Sequence, residues 1–166
     1  MRRSTILGTG FCVPDRVVTN DDLAGLMDTS DQWIRERTGI EQRRWVREGQ
    51  TSVDLALPAA QRALEAAGLT ARDIDAIVFA TSTPDHFCPG NGEEIQSTGM
   101  DLSTAGRHTA VIFADGAGAA VLGPADPSAE RGILGFDLHT DGDFAEKLWV
   151  DAPGSMYHPR ISAAQL

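Results

Sequence analysis

The first third of the chain combines one apolar run with residues that cap helices. Ser4 to Val13 (STILGTGFCV) is apolar and β-branched and ends at a Pro-Asp pair, which predicts a strand. Asn20 precedes DDLAGLM and is expected to cap a short helix with acidic residues in its first turn. Ser30 precedes DQWIRER in the same way, so a second short helix is predicted to end at Gly39.

The longest helical pattern covers Thr51 to Ala67. Thr51 is a suitable N-cap, and Gly68 is a suitable residue to end the helix. Pro58 lies inside the pattern and lacks an amide hydrogen, so a kink or a later start of the helix is expected. Apolar residues recur at helical spacing and predict the buried face: Val53, Leu57, Ala60, Leu64 and Ala67.

The remaining apolar runs are typical of strands. Ile74 to Thr81 (IDAIVFAT) is apolar on successive residues, as expected of a strand covered on both faces. Further strands are predicted at Thr109–Ala114 and Ala119–Leu122, around a turn at Gly116–Gly118, and at Gly132–His139. Helices followed by a strand-rich half indicate a layered α/β domain.

Composition narrows the possible partners. The chain has 166 residues and a net charge of −10, which disfavours nucleic acid because phosphate binding needs a basic surface. The sequence has no apolar run of membrane-spanning length and no signal peptide at its start, so we expect a cytoplasmic location without membrane association. The two cysteines, Cys12 and Cys88, give neither a disulfide framework nor metal-ligand spacing, and no metal site is predicted.

Positive charge is concentrated in one segment of this acidic chain. Arg35 to Arg47 (RERTGIEQRRWVR) contains five arginines and two glutamates. Such a segment could hold a phosphorylated ligand, and it could equally be a solvated connection between a helix and a strand.

Two glycine clusters resemble dinucleotide-binding loops only in part. GTGFCV has Val13 where the third glycine would stand, and DGAGAAV has Val121 there. Because neither cluster leads from a strand into a helix, no phosphate cradle at a helix N-terminus is expected. Tight turns explain these glycines better.

Two further groups of residues are candidates for chemistry. Cys88 lies near His86, but a loop before Pro-Gly offers little to activate a thiolate, so a structural or pocket-lining role is expected. Trp33 and Arg37 are four residues apart on a predicted helix and therefore project from one face. They could stack on the two sides of an adenine ring, or the Trp could pack against the core beside a solvated Arg.

Several stretches together resemble a known family. GTGFCVPDRVVTNDDL, SDQWIRERTGIEQRRW and AIVFATSTPDHFCPGNG are similar to the N-terminal half of β-ketoacyl-acyl carrier protein synthase III. Later stretches of that half resemble STGMDLSTAGRHTAVIFADGAGAAVLG and DFAEKLWVDAPGS. The resemblance implies a thiolase-like layered α/β/α half-domain, with a mixed sheet and helices on its faces, that is incomplete here.

The resemblance also implies a reaction and a set of site residues. Family members move an acyl group from coenzyme A to a cysteine and condense it with malonyl-acyl carrier protein, which starts fatty-acid or polyketide chains. Trp33 and Arg37, with Thr38 adjacent, would hold the adenine end of coenzyme A. Phe87 and Cys88 would lie in a loop near the acyl pocket and the interface of a homodimer. Acyl-CoA and acyl carrier protein would be partners, and no cofactor is implied beyond the coenzyme A thioester substrate.

The sequence departs from the family at the positions of the catalytic residues. The nucleophilic cysteine in a T-x-C-[ST]-G-F context is absent, and Gly92 runs directly into Glu93. The family's catalytic His and Asn belong to a C-terminal half that the sequence does not reach. We therefore expect residues 1–166 to form a single partial domain with a deletion seam near 92–93, without catalytic residues and inactive alone. The alternative is a non-catalytic remnant or partner subunit that binds coenzyme A or a synthase subunit.

Overall fold

A computed structural model describes residues 3–81 and 101–143 of the chain. The chain divides into two compact units, Met1–Gly132 and Ile133–Leu166. In the second unit, the described residues 133–143 contain no strand, and Leu134, Phe136 and Leu138 are exposed. The regular elements described below all lie in the first unit. The predictions of a single partial domain and of a seam near 92–93 stay predictions.

Local signals account for most of the elements in the described ranges. A 3-10 turn at Ala71–Asp73 follows the longest helix. The strands are β1 (Ser4–Cys12), β2 (Arg16–Thr19), β3 (Gln42–Trp45) and β4 (Ala117–Pro124). The helices are α1 (Asn20–Ala24), α2 (Asp31–Thr38), α3 (Ser52–Ala67) and α4 (Arg107–Ala110).

The strands form two antiparallel pairs in the described part of the chain. β1 pairs with β4 from Ser4 opposite Pro124 to Cys12 opposite Ala117, with an irregularity after Ile6. β2 pairs with β3 along all four residues of each strand. The predicted strands at Ser4–Val13 and Ala119–Leu122 are confirmed, and so is the α/β class.

Helix α3 packs directly on β1, and the glycines of the first cluster explain how. A Cβ atom on Gly10 would lie 2.6 Å from the backbone nitrogen of Ala63, and one on Gly8 would lie 2.6 Å from that of Ala67. Only glycine permits this approach of strand and helix. The cluster is therefore a packing feature within β1, and the expectation of a tight turn there is wrong.

The face that α3 buries differs from the predicted one. Leu55, Ala59 and Ala63 are buried, whereas Val53 and Leu57 are 42% and 56% exposed. Ala59 and Ala63, four residues apart on one face of the helix, lie against the glycines of β1. Their small side chains allow the short distance between the helix and the strand. Thr51 caps the helix and Gly68 ends it, as predicted, and the helix runs through Pro58 without interruption.

The main hydrophobic core joins the short helices to the second strand pair. Thr19, not the predicted Asn20, caps α1: its hydroxyl accepts a hydrogen bond from the amide of Asp22, and the Asp22 carboxylate accepts the amide of Thr19. Asn20 is buried instead. The buried core residues are Val18, Leu23, Met27, Ile34, Trp45, Ala110 and Val111.

Three strand predictions are wrong within the described residues. Ile74 to Thr81 does not form a strand in the structure, and Ile77 and Val78 are 85% and 95% exposed. A strand that is apolar on both faces needs neighbours to pair with and to cover it. Gly132 to His139 likewise forms no strand.

The predicted strand Thr109–Ala114 forms the end of α4 and a following turn. Gly106 precedes this helix, and the amide of Val111 donates to the carbonyl of Arg107. Ala110 and Val111 are both buried although they are adjacent in sequence. A short apolar run does not distinguish a buried helical turn from a buried strand, which is why the pattern misled.

Within residues 3–81 and 101–143, no helix has the length and apolar character needed to cross a membrane.

Candidate functional site

Trp33 lies in the first turn of α2, where the local sequence fixes its position. The hydroxyl of Ser30 caps the helix and accepts a hydrogen bond from the Trp33 amide at 3.1 Å. Gly39 ends the helix in the left-handed conformation, with φ 72°, which glycine adopts without strain. The indole is half-buried and packs against the main core, so one part of the ring is anchored and another is accessible.

Arg37 lies over the ring of Trp33. Its guanidinium carbon is 4.3 Å from the ring centre, within the range of a cation–π interaction. The spacing of four residues predicted that these side chains share a face, and the structure brings them together. Arg37 itself is exposed.

A second arginine, which the sequence did not indicate, reaches the same ring. The guanidinium carbon of Arg107, in α4, lies 4.7 Å from the centre of the Trp33 ring. Arg107 Nη1 donates to the carbonyl of Asp28 at 2.6 Å, while the amide of Asp28 donates to Thr104 Oγ1 at 3.0 Å. These two bonds fasten the first residue of α4 and the segment before it to the loop before α2. No local pattern could have identified Arg107, because the contact depends on the tertiary fold.

The ring of His108 also lies close to the indole. The ring centres of Trp33 and His108 are 5.7 Å apart, and the planes are inclined by 58°. Trp33 therefore has cationic or aromatic side chains from two separate elements around it. We call Trp33, Arg37, Arg107 and His108 the Trp33 cluster.

Thr38 is placed differently from the other predicted site residues. Its hydroxyl donates to the carbonyl of Ile34 at 2.8 Å and accepts from the amide of Ile40 at 3.0 Å. Both bonds belong to the C-terminal end of α2. Thr38 thus holds the end of the helix, and its adenine-binding role stays a prediction.

The arginine-rich segment is not one continuous site. Arg35 donates to Asp31 at 2.8 Å and to Glu41 at 2.6 Å. The hydrogen bond from Arg35, and then that from Asn20, holds the pKa of Asp31 below its ordinary value. Hydrogen bonding to Asp31 raises the pKa of Arg35 in turn.

Other arginines of the segment serve the fold. Arg43 is buried, and Arg44 Nη1 donates to the carbonyl of Asp15 at 2.9 Å and to that of Pro14 at 3.3 Å. Arg37 is the member of the segment that lies at Trp33. The solvated-connection interpretation does not describe β3, where Arg43 is buried, and the ligand-binding interpretation is limited to Arg37 in the Trp33 cluster.

The arrangement suits a ligand that joins a planar heteroaromatic ring to anionic groups such as phosphates. An indole face offers stacking area, and planar guanidinium groups stack on π systems while attracting anions. Two cations against one aromatic ring repel each other, so an anionic ligand would relieve that repulsion.

The predicted acyl-pocket loop, Phe87 and Cys88, lies outside the described residues, as does the predicted seam. Cys12, on β1, is half-buried and packs beside the smaller core of Val46 and Leu55.

Comparisons with known proteins show the family to which the chain belongs. The model of the family 3-oxoacyl-[acyl-carrier-protein (ACP)] synthase III matches residues 92–142. Beta-ketoacyl-[acyl-carrier-protein] synthase III from Rhodobacter capsulatus is 40% identical over 197 residues, covering 90% of this chain and 61% of the relative. The protein of the same name from Cereibacter sphaeroides strain ATCC 17025 is 36% identical over 215 residues, covering 99% of this chain and 67% of the relative.

Solved structures show the same relationship. 3-Oxoacyl-(acyl carrier protein) synthase III from Pseudomonas aeruginosa PAO1 superposes with a TM-score of 0.77 at 33% identity, covering 93% of this chain and 62% of that one. The priming β-ketosynthase of the R1128 polyketide biosynthetic pathway superposes with a TM-score of 0.59 at 29% identity, covering 75% and 51%.

These neighbours define the fold as a thiolase-like α/β fold. The chain belongs to the β-ketoacyl-[acyl-carrier-protein] synthase III family. The match spans 61% and 64% of the length of the Rhodobacter and Granulibacter relatives. The Rhodobacter alignment runs over 197 positions but takes in 90% of a 166-residue chain, so the relative has residues within the aligned range that lack a counterpart here.

Proposed function

We propose that this chain retains the coenzyme A adenine site of a synthase III-type acyltransferase and binds acyl-CoA at the Trp33 cluster. The observation that carries the proposal is the pair of guanidinium groups, those of Arg37 and Arg107, at 4.3 and 4.7 Å from one indole ring. Because both guanidinium groups now contact the ring, one of them would move off the indole when adenine stacks there, and it would then cover the other face of the base.

Charge supports this ligand class over nucleic acid. The chain carries a net charge of −10, so a long polyphosphate would meet repulsion outside the cluster. A single nucleotide with a few phosphates needs only a local group of cations, and Arg37 and Arg107 supply one. Two hydrogen bonds at Asp28, one from Arg107 Nη1 to its carbonyl and one from its amide to Thr104 Oγ1, hold Arg107 where it would contact the ligand.

The proposal includes the family reaction as the context of binding. Acyl-CoA and acyl carrier protein are the proposed substrates of the intact enzyme type, which we take to be a cytoplasmic homodimer that starts fatty-acid or polyketide chains. The names of the matched relatives contain acyl carrier protein, and one structural neighbour is a priming ketosynthase of a polyketide pathway. The first observation supports acyl carrier protein as a partner, and the second supports a role in chain initiation.

We further propose that the chain does not condense substrates by itself. Claisen condensation needs a thiolate to carry the acyl group and donors to stabilise the developing enolate. Neither Cys12 nor Cys88 stands in the T-x-C-[ST]-G-F context of the family nucleophile. Loss of such a nucleophile typically lowers kcat by several powers of ten.

One assay separates the two parts of the proposal. The chain is incubated with radiolabelled acetyl-CoA and malonyl-acyl carrier protein, and binding of coenzyme A is measured on the same preparation. We expect saturable binding and no labelled condensation product above the level without protein. Turnover well above that level would refute the loss of condensing activity, and absence of binding would refute the retained adenine site.

A second candidate function is that of a partner subunit. The face of the β1–β4 pair directed away from α3 is apolar and exposed: Ile6 is 57%, Phe11 66% and Leu122 57% exposed. Exposed apolar side chains on one face of a strand pair are typical of a protein interface. Light scattering of the chain mixed with the intact Rhodobacter relative would show a mixed complex if this function holds, and separate species if it does not.

A further inference from the structure

A buried arginine donates hydrogen bonds to neutral oxygens of the residues that adjoin the helices of the Trp33 cluster. Arg43, on β3, is 4% exposed. Its Nη2 donates to Asn20 Oδ1 at 2.7 Å and to the carbonyl of Val111 at 3.4 Å, and its Nη1 donates to the carbonyl of Val18 at 3.3 Å. All three acceptors are neutral oxygens. Burial lowers the pKa of Arg43, as expected when a cation is removed from water.

Asn20 continues the connection towards helix α2. Its Nδ2 donates at 2.8 Å to Asp31 Oδ1 and at 2.8 Å to the carbonyl of Ile40. Asp31 is the first residue of α2, and Ile40 follows the glycine that ends it. A single buried amide therefore holds both ends of the helix that carries Trp33 and Arg37.

The other end of the connection is helix α4. Val111, whose carbonyl accepts from Arg43, is the residue directly after this helix, and Arg107 is its first residue. Arg43 thus bonds to the residue that follows α4, and through Asn20 it is linked to both ends of α2. The network joins the two halves of the cluster from the side of the core.

We propose that Arg43 and Asn20 are positioning residues that set the distance between α2 and α4, and thereby the approach of Arg107 to Trp33. The proposal rests on the proposed function, because its purpose is to keep the adenine-binding groups in register. A buried guanidinium bonded to neutral oxygens is expensive in solvation compared with an apolar side chain. In return, the planar guanidinium fixes the positions of several acceptor oxygens relative to one another, because its donors lie in a rigid arrangement.

The test is a double-mutant cycle on binding of adenosine 3′,5′-bisphosphate to the full chain, measured by calorimetry. Arg107→Gln is made in the wild type, in Asn20→Asp and in Arg43→Lys. Asn20→Asp replaces the donating amide with a carboxylate that faces Asp31. In the wild type we expect Arg107→Gln to weaken binding about tenfold. In the two positioning variants the same change should weaken it less than about twofold, because Arg107 no longer reaches the ring.

Arg44→Lys is the matched control. Arg44 lies next to Arg43 on β3 but bonds to the loop at Pro14 and Asp15, so the tenfold effect of Arg107→Gln should persist in it. A purely structural role of Arg43 and Asn20 would lower the melting temperature and leave the Arg107 effect near tenfold, which would overturn the proposal. Loss of the folded circular dichroism spectrum in both positioning variants would overturn it as well. Absence of binding to the wild type would refute the proposed function itself.

Discussion

The Arg107 guanidinium carbon lies 4.7 Å from the centre of the Trp33 ring, although the two residues belong to helices on different parts of the chain. The contact exists because the segment before α4 is fastened to Asp28, just before α2. Arg37 reaches the same ring from within α2. One half of the site is therefore encoded locally, and the other half depends on the fold.

Arg37 should control how strongly salt weakens ligand binding. It is exposed and lies against the ring, so its attraction for phosphate is screened by ions over a Debye length of about 10 Å at 0.1 M salt. We expect Arg37→Gln to weaken binding of adenosine 3′,5′-bisphosphate several-fold at low salt, about 1 kcal/mol, and to flatten the salt dependence measured by calorimetry.

Arg47→Gln is the control for charge alone. Arg47 is exposed and lies 3.9 Å from Asp15, away from the described contacts of Trp33. Its loss should leave both the affinity and its salt dependence close to the wild type. Equal effects of the two substitutions would mean that Arg37 acts only through net charge and not at the site.

Gly10→Ala should destabilise the packing of α3 on β1. The added methyl group would lie 2.6 Å from the backbone nitrogen of Ala63 and 2.8 Å from Cβ of Arg62, so strand and helix must separate. We expect a loss of about 1–3 kcal/mol in the free energy of unfolding, measured by urea titration. Gly118→Ala, on the paired strand, has no atom within 4 Å of the new methyl and should change stability by less than about 0.5 kcal/mol. Similar losses in both variants would contradict this description of the packing.

Asp22 should contribute to the loss of stability in acid. The amide and then the hydroxyl of Thr19 donate to its carboxylate and lower its pKa below the ordinary 3.8. Because the pKa is lower in the folded state, protons bind the unfolded chain more readily. The stabilisation is therefore present above about pH 4 and is lost as the pH falls through the folded pKa.

Asp22→Asn should make the urea midpoint fall less steeply with pH over the acid range, from about pH 5 to pH 3. Asp21→Asn, one residue earlier in the same helical turn, is the matched control and should retain the wild-type slope. An unchanged slope in Asp22→Asn would show that the capping carboxylate of α1 does not carry this acid sensitivity.

The elements that the sequence predicted correctly are those with strong local signals. Ser30 and Gly39 bound α2, and Thr51 and Gly68 bound α3, because hydroxyl caps and left-handed glycines act within one turn. The shared face of Trp33 and Arg37 followed from the same helical geometry. Local chemistry also misled by one residue at α1, where Thr19 rather than Asn20 is the cap.

What the sequence could not predict depends on tertiary contacts. The buried face of α3 was set by the glycines of β1, which leave room for Ala59 and Ala63 rather than for the larger side chains. Arg107 lies two residues before a segment that was predicted to be a strand. No periodicity in the sequence relates it to Trp33. The burial of Arg43 could not be predicted either, because in the sequence it is one of five arginines in a basic segment.

The most direct test of the central claim is a calorimetric titration of acetyl-CoA into the wild type, Trp33→Phe and Trp33→Ala. Stacking of a base on an aromatic side chain contributes about 1–3 kcal/mol, so Trp33→Ala should weaken binding about tenfold or more. Trp33→Phe should keep much of the affinity because a ring remains. Binding to one saturable site with this order of affinities supports a retained adenine site, whereas equal affinity of the wild type and Trp33→Ala would contradict it.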